Sequence, residues 1–150
     1  MTHKYSWIKS VITAILVLLY TYAAFSKLFD FRQFRRAMFV QPFPHWVGSM
    51  LLFLIPAMEL FTVILLAGKR TERLGYWCSF ALMAEFTGYI ALIMAGFWNS
   101  VPCSCGGILG HLSWMPHLFF NLFFLIITII GIAIIYKERR AGDIQKEPAK

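Results

Sequence analysis

The sequence predicts an all-α membrane protein: a bundle of four transmembrane helices, with a short amphipathic helix between the first and second spans. Apolar residues make up 59% of the 150 residues and charged residues only 14%. A soluble domain carries roughly 25% charged residues, so this chain lacks the surface that a soluble domain needs. Its apolar residues also form runs of about 20, the length with which a helix crosses a bilayer.

We predict a single membrane domain, residues 1–136, followed by a charged tail, residues 137–150. The four spans cover about 7–25, 47–67, 74–97 and 114–136. The first span also has features of a signal peptide, since Lys4 and Lys9 precede an apolar run that ends in small residues. Bulky Tyr20 and Tyr22 within the run favour a retained helix.

The segment between the first two spans has a different pattern. Phe31, Phe34 and Met38 recur at helical spacing, and the three nearby arginines fall largely on other faces. This pattern is typical of a short amphipathic helix in the membrane interface. Two prolines, at positions 42 and 44, end it.

The distribution of Lys and Arg predicts the orientation. Most basic residues flank apolar runs, so we expect contacts with anionic lipid headgroups and none with nucleic acid. With the N-terminus inside, ten Lys and Arg fall on inner segments and four on outer ones, which places both termini in the cytoplasm. The outer four are Lys27, Arg32, Arg35 and Arg36.

The most distinctive chemistry is the sequence Pro-Cys-Ser-Cys-Gly-Gly, residues 102–107, before the last span. The predicted orientation puts Cys103 and Cys105 outside, where disulfides persist. A disulfide between residues two apart requires a folded-back chain and is strained, and strained disulfides are the labile, exchanging ones. It would also close almost no loop and add little stability. The pattern therefore favours thiol–disulfide exchange.

Two alternatives remain open for these cysteines. They can be two unrelated small residues at a helix end, or soft metal ligands completed by His111 and His117. Cys78 lies about 30 Å away along the third span and is predicted to be a packing residue.

Polar residues inside the spans are further candidates. Glu59 and Glu85 lie at similar predicted depths, and an intramembrane carboxylate is either functional or hydrogen-bonded between helices. Tyr89, Asn121 and His117 fall nearer the outside, as does Lys27. These supporting residues are predicted to form a polar path below the cysteines, in which His117 or Lys27 favours a thiolate. A carrier site at the Glu59 and Glu85 level is a further alternative.

The residues resemble the MauE/DoxX family, and most closely its MauE branch of methylamine-utilisation membrane proteins. The resemblance rests on the four spans, on residues 22–28 (YAAFSKL), on residues 56–59 (PAME) and on the Cys-Ser-Cys motif. It covers most of the chain to about Tyr136. It implies a bacterial inner-membrane bundle that supports disulfide formation with a periplasmic thioredoxin-like partner. By matching position, it implies that Cys103 and Cys105 are the redox pair and Glu59 the second-span glutamate.

The expected function is a thiol–disulfide relay, a candidate oxidoreductase activity. Its partner is expected to be a periplasmic thioredoxin-like protein or a cysteine-containing secreted substrate. A quinone is a candidate electron carrier by analogy with other four-helix thiol oxidases. Methylamine dehydrogenase or another protein can be the substrate. The alternatives are a membrane assembly scaffold without enzymatic activity and a metal or small-solute carrier.

Overall fold

The computed structural model describes residues 2–98 and 114–144, which form five helices. Four of them are long and apolar enough to cross a membrane, by length and composition. A short helix lies between the first two, so the predicted fold class is confirmed. The helices are α1 (Thr2–Phe29), α2 (Phe31–Phe39), α3 (His45–Ala67), α4 (Glu72–Met94) and α5 (Trp114–Ile144).

The interior of the bundle combines aliphatic side chains with two tyrosines. Leu16 and Tyr20 of α1 pack in one buried cluster with Tyr76 of α4 and Ile134 of α5. Tyr20 donates its hydroxyl hydrogen bond to the backbone carbonyl of Ser79, 3.0 Å away. The bundle interior therefore provides hydrogen bonds to buried polar groups, which lipid chains cannot do.

The boundary between α1 and α2 lies at Asp30. Its side chain accepts a hydrogen bond from the backbone N–H of Gln33 at 3.2 Å, which caps the new helix. Phe34 and Met38 are buried and pack with Leu52 of α3, as the amphipathic pattern predicts for two of its three apolar residues.

α1 and α2 together run antiparallel along one side of α3. Three contacts follow in register: Lys27 with Glu59, Phe34 with Leu52, and Met38 beside Gly48. From one contact to the next, the residue number on α1 and α2 rises while the residue number on α3 falls by a similar amount. α2 therefore continues the path of α1 along α3.

α4 and α5 are also antiparallel. The hydroxyl oxygens of Ser79 and Thr128 lie 3.3 Å apart. Arg73 donates a hydrogen bond to the hydroxyl of Tyr136 at 3.3 Å. The end of α4 and the start of α5 therefore meet at one end of the bundle. We call this the loop end, because residues 99–113 connect the two helices there, and we call the opposite end, with the α3–α4 connection at residues 68–71, the turn end.

An ion cluster ties three helices together at the turn end. Lys9 of α1 lies 3.2 Å from Glu72 of α4 and 3.0 Å from Glu138 of α5, measured from Nζ to a carboxylate oxygen. Thr13 donates to Glu72 at 3.1 Å. The two carboxylates give Lys9 an intramolecular role. α5 continues past Tyr136 to Ile144.

Candidate functional site

The central feature of the site is a buried ion pair. Nζ of Lys27, in the last turn of α1, lies 2.7 Å from Oε1 of Glu59, in the middle of α3. Glu59 is 2% exposed and Lys27 9% exposed. Lys27 also donates to the carbonyl of Ala23 at 3.1 Å. The antiparallel register of α1 along α3 creates this pair, because it brings the end of one helix to the middle of the other.

A second feature of the site is the other carboxylate oxygen of Glu59, Oε2. Within the described part of the chain, Oε2 is buried and accepts no hydrogen bond. An unsatisfied buried carboxylate oxygen is costly, so it marks a place for a donor from water or a ligand.

A small cavity lies at this pair. Its volume is about 60 Å³, and it is bounded by α1, α3, α4 and α5. This volume holds a few water molecules, each of which needs about 10–15 Å³ of such space. Polar lining groups come from Lys27, Glu59, His117 and Asn121, and the remaining lining is mostly aromatic and aliphatic.

His117 and Asn121 enter the cavity from α5. They are four residues apart, which places them on one face of the helix. Both are buried, with 3% and 4% of their surface exposed. At about 1.5 Å per residue, they lie roughly 5 and 10 Å into α5 from Trp114. The cavity is therefore close to the loop end, where α5 begins.

The structure brings four of the six predicted supporting residues together: Lys27, Glu59, His117 and Asn121. Glu85 is exposed and Glu59 is paired with Lys27, so these two carboxylates do not form a joint site.

Tyr89 lies in a separate contact and not among the cavity-lining residues. It donates a short hydrogen bond to Gln41, and its ring centroid lies 5.6 Å from Phe43 and 5.9 Å from Trp98. Tyr89 thus joins α4 to the connection between α2 and α3. Trp98 therefore packs against Tyr89 at this contact.

The structure describes only one of the three cysteines. Cys103, Cys105 and His111 lie outside the described residues. Cys78 is a half-buried free thiol on α4. Among residues 2–98 and 114–144, no group of three or more His, Cys, Asp or Glu is arranged to hold a metal ion.

Sequence reasoning missed Tyr20 as a cavity residue. Tyr20 is 1% exposed, lines the cavity and lies seven residues before Lys27, two helical turns along the same face. That spacing was the available signal. Gln41 is another buried polar group that was not singled out.

The fold and the cavity define a class: a four-span helical membrane protein with a buried lysine–glutamate pair near one end. The chain belongs to the family of the methylamine utilisation protein MauE, whose family model matches residues 5–134. The matched range includes the Cys-Ser-Cys motif and the cavity residues Lys27, Glu59, His117 and Asn121. No curated protein and no solved structure matches the chain. It is therefore a multi-pass membrane protein of the MauE family.

Proposed function

We propose that this chain is a thiol–disulfide relay of the bacterial inner membrane, with Cys103 and Cys105 as its exchanging pair on the periplasmic side. One cysteine attacks a partner disulfide as a thiolate, forming a mixed disulfide and releasing one partner thiolate. The second cysteine then attacks the mixed disulfide, which leaves the partner reduced and Cys103 bonded to Cys105. The reverse sequence oxidises a partner dithiol.

The observation that supports this proposal most is the position of the polar cavity. His117 is buried near the first residue of α5, and the segment that carries both cysteines connects to α5 at that same end. A thiol becomes a nucleophile when a nearby cationic or hydrogen-bonding group favours its thiolate. In this proposal, His117 has that role for the cysteine pair.

Lys27 has a different role in the proposal. Its ammonium is held by Glu59 at 2.7 Å, so its charge is largely balanced at the cavity. The pair keeps a polar, hydrated space inside an apolar bundle, and the buried Oε2 of Glu59 accepts a proton or a hydrogen bond there. Asn121 completes the polar lining beside it.

The partner in the proposal is a periplasmic thioredoxin-like protein or a cysteine-containing secreted substrate. The family name favours a role in methylamine utilisation. In that role, our candidate substrate is methylamine dehydrogenase. The alternative is a role as a related redox membrane protein, which acts on another substrate by the same thiol–disulfide exchange.

A quinone is our candidate electron acceptor when the relay oxidises its partner. Two thiols then lose two electrons and two protons, a disulfide forms, and the quinone becomes a quinol. The N–H donors of Lys27, His117 and Asn121 suit the carbonyl oxygens of a quinone ring, and the carboxylate of Glu59 suits a hydroxyl of the quinol. The cavity of about 60 Å³ has room only for water, so ring binding requires partly exposed Tyr22 or Phe120 at its lining to move.

The direct experiment is to trap the mixed disulfide. Cys103→Ser and Cys105→Ser each remove one member of the pair, so the variant that retains the attacking thiol accumulates a covalent adduct with its partner. The adduct is resolved on a non-reducing gel and disappears with dithiothreitol. Cys78→Ser is the matched control, and it traps nothing and retains function. The proposal fails if neither single variant captures a partner and both still function.

A further inference from the structure

The turn end of the bundle carries a basic cavity that the proposed relay does not use. Its volume is about 260 Å³, and it lies where α1, the α3–α4 connection, α4 and α5 meet. The charged groups lining it are Lys9, Lys69, Arg70, Glu72, Arg73 and Glu138.

The charges in this cavity do not balance. Four cations face two carboxylates, which leaves an excess of two positive charges. Both carboxylates are engaged by Lys9, at 3.2 and 3.0 Å. Within the described part of the chain, Lys69 and Arg70 are exposed and form no ion pair. The cavity therefore offers two uncompensated cations to an anion.

An apolar groove adjoins this cavity. It has a volume of about 290 Å³ and shares Lys69 and Glu72 with the basic cavity. Ala14 and Val17 of α1 line one side, and Leu66 and Ala67 of α3 line the other. The small alanines leave room between the two helices, and the groove extends along apolar surface that faces lipid in a membrane-spanning helix.

We propose that the turn end binds an anionic phospholipid. Its phosphate lies against Lys69 and Arg70, and one acyl chain lies in the groove between α1 and α3. Arg presents planar donors that match phosphate oxygens, and Lys contributes a compact charge. A free phosphate would use only the basic cavity, so continuity with an apolar groove favours an amphiphilic anion. Ser10, an exposed hydroxyl that also lines the groove, lies where the polar glycerol region of the lipid would pass.

The test uses the purified full-length chain in detergent and native mass spectrometry with added phosphatidylglycerol or phosphatidylcholine. We expect phosphatidylglycerol to be retained in preference to phosphatidylcholine. Lys69→Gln with Arg70→Gln is expected to weaken phosphatidylglycerol binding about 25-fold, at about fivefold for each charge removed. Arg32→Gln with Arg35→Gln is the matched control, because it removes two exposed cations from α2 and leaves the binding unchanged.

Two further measurements separate the lipid from other anions. Ala14→Leu fills the groove at an exposed position and is expected to weaken phosphatidylglycerol binding with the basic cavity intact. Inorganic phosphate at millimolar concentration is expected not to displace the lipid. Equal retention of the two lipids, or full displacement by inorganic phosphate, would overturn the proposal.

Discussion

Lys27 and Glu59 form a buried ion pair, 2.7 Å between Nζ and Oε1, that joins the last turn of α1 to the middle of α3. Glu59 still has one buried oxygen without a protein partner in the described structure, and that oxygen lies at the small polar cavity. The pair therefore fixes the register of two helices and leaves an acceptor beside His117 and Asn121.

Breaking this pair on one side should destabilise the bundle strongly. Lys27→Met leaves the Glu59 carboxylate buried without a counter-charge. Glu59→Gln likewise leaves the Lys27 ammonium buried without a counter-charge. Each is expected to cost about 3 kcal/mol of stability, because an uncompensated buried charge costs 3–5 kcal/mol. The double variant Lys27→Met with Glu59→Gln should recover most of this loss. Thermal unfolding in detergent measures it.

Glu85→Gln is the matched control for that series. Glu85 is exposed on α4, so its substitution should change stability by about 0.5 kcal/mol or less. If Glu85→Gln were as damaging as Glu59→Gln, or if the double variant were no better than the singles, the ion pair would not be the source of the effect.

The close approach of α3 and α4 depends on Gly75. A Cβ at this position would lie 2.7 Å from the backbone nitrogen of Leu66 and 2.9 Å from the carbonyl carbon of Leu65. Backbone atoms cannot move aside as a flexible side chain can, so Gly75→Ala should cost about 1–3 kcal/mol through overpacking.

Gly88 on the same helix is the control for Gly75. A Cβ there meets no atom within 4 Å, so Gly88→Ala should be neutral or stabilising, by up to about 1 kcal/mol, since Ala favours a helix more than Gly. Thermal unfolding of the two variants compares them directly. Equal effects at both glycines would contradict the packing described between α3 and α4.

The hydroxyl of Tyr20 should contribute to stability through Ser79. It lies 3.0 Å from both the carbonyl and the hydroxyl oxygen of Ser79, and all these groups are buried. Tyr20→Phe should cost about 0.6–2 kcal/mol, the range measured for polar contacts between membrane helices. Ser49→Ala removes an exposed hydroxyl bonded to its own helix and should have a smaller effect. A Tyr20→Phe protein as stable as the unmodified chain would show that this contact adds nothing.

The sequence predicts the bundle well but only part of its interior. Hydropathy locates the four spans, and the spacing of Phe34 and Met38 predicts the buried face of α2. The four-residue spacing of His117 and Asn121 places them on one face of α5. Each of these features is local in the sequence, so a helical period is enough to find it.

The pairing of Lys27 with Glu59 is different because it depends on the register between two helices. The spans are apolar on nearly all faces, so hydropathy does not tell which face of each helix points inward. For the same reason, sequence reasoning treated Glu59 and Glu85 as equivalent, although one is buried and the other exposed. Lys9 likewise meets Glu72 and Glu138 only after three helices assemble.

The proposed role of His117 leads to a prediction about thiol reactivity. If His117 favours a thiolate at Cys103 or Cys105, His117→Leu should slow alkylation of the reduced pair by iodoacetamide at neutral pH. The rate is read by mass spectrometry of the peptide that contains both cysteines. His45→Leu is the control, since His45 is exposed at the start of α3. Unchanged alkylation in His117→Leu would assign His117 a purely structural role.

The proposed relay requires that Cys103 and Cys105 form an exchanging pair on the outer face of the membrane. The most direct measurement is labelling of spheroplasts with a membrane-impermeant maleimide, before and after mild reduction, in a Cys78→Ser background. An exchanging pair on that face should show little labelling at first, labelling of both cysteines after reduction, and renewed protection when an oxidant is restored. Labelling that requires permeabilised membranes, or that does not respond to reduction, would contradict it.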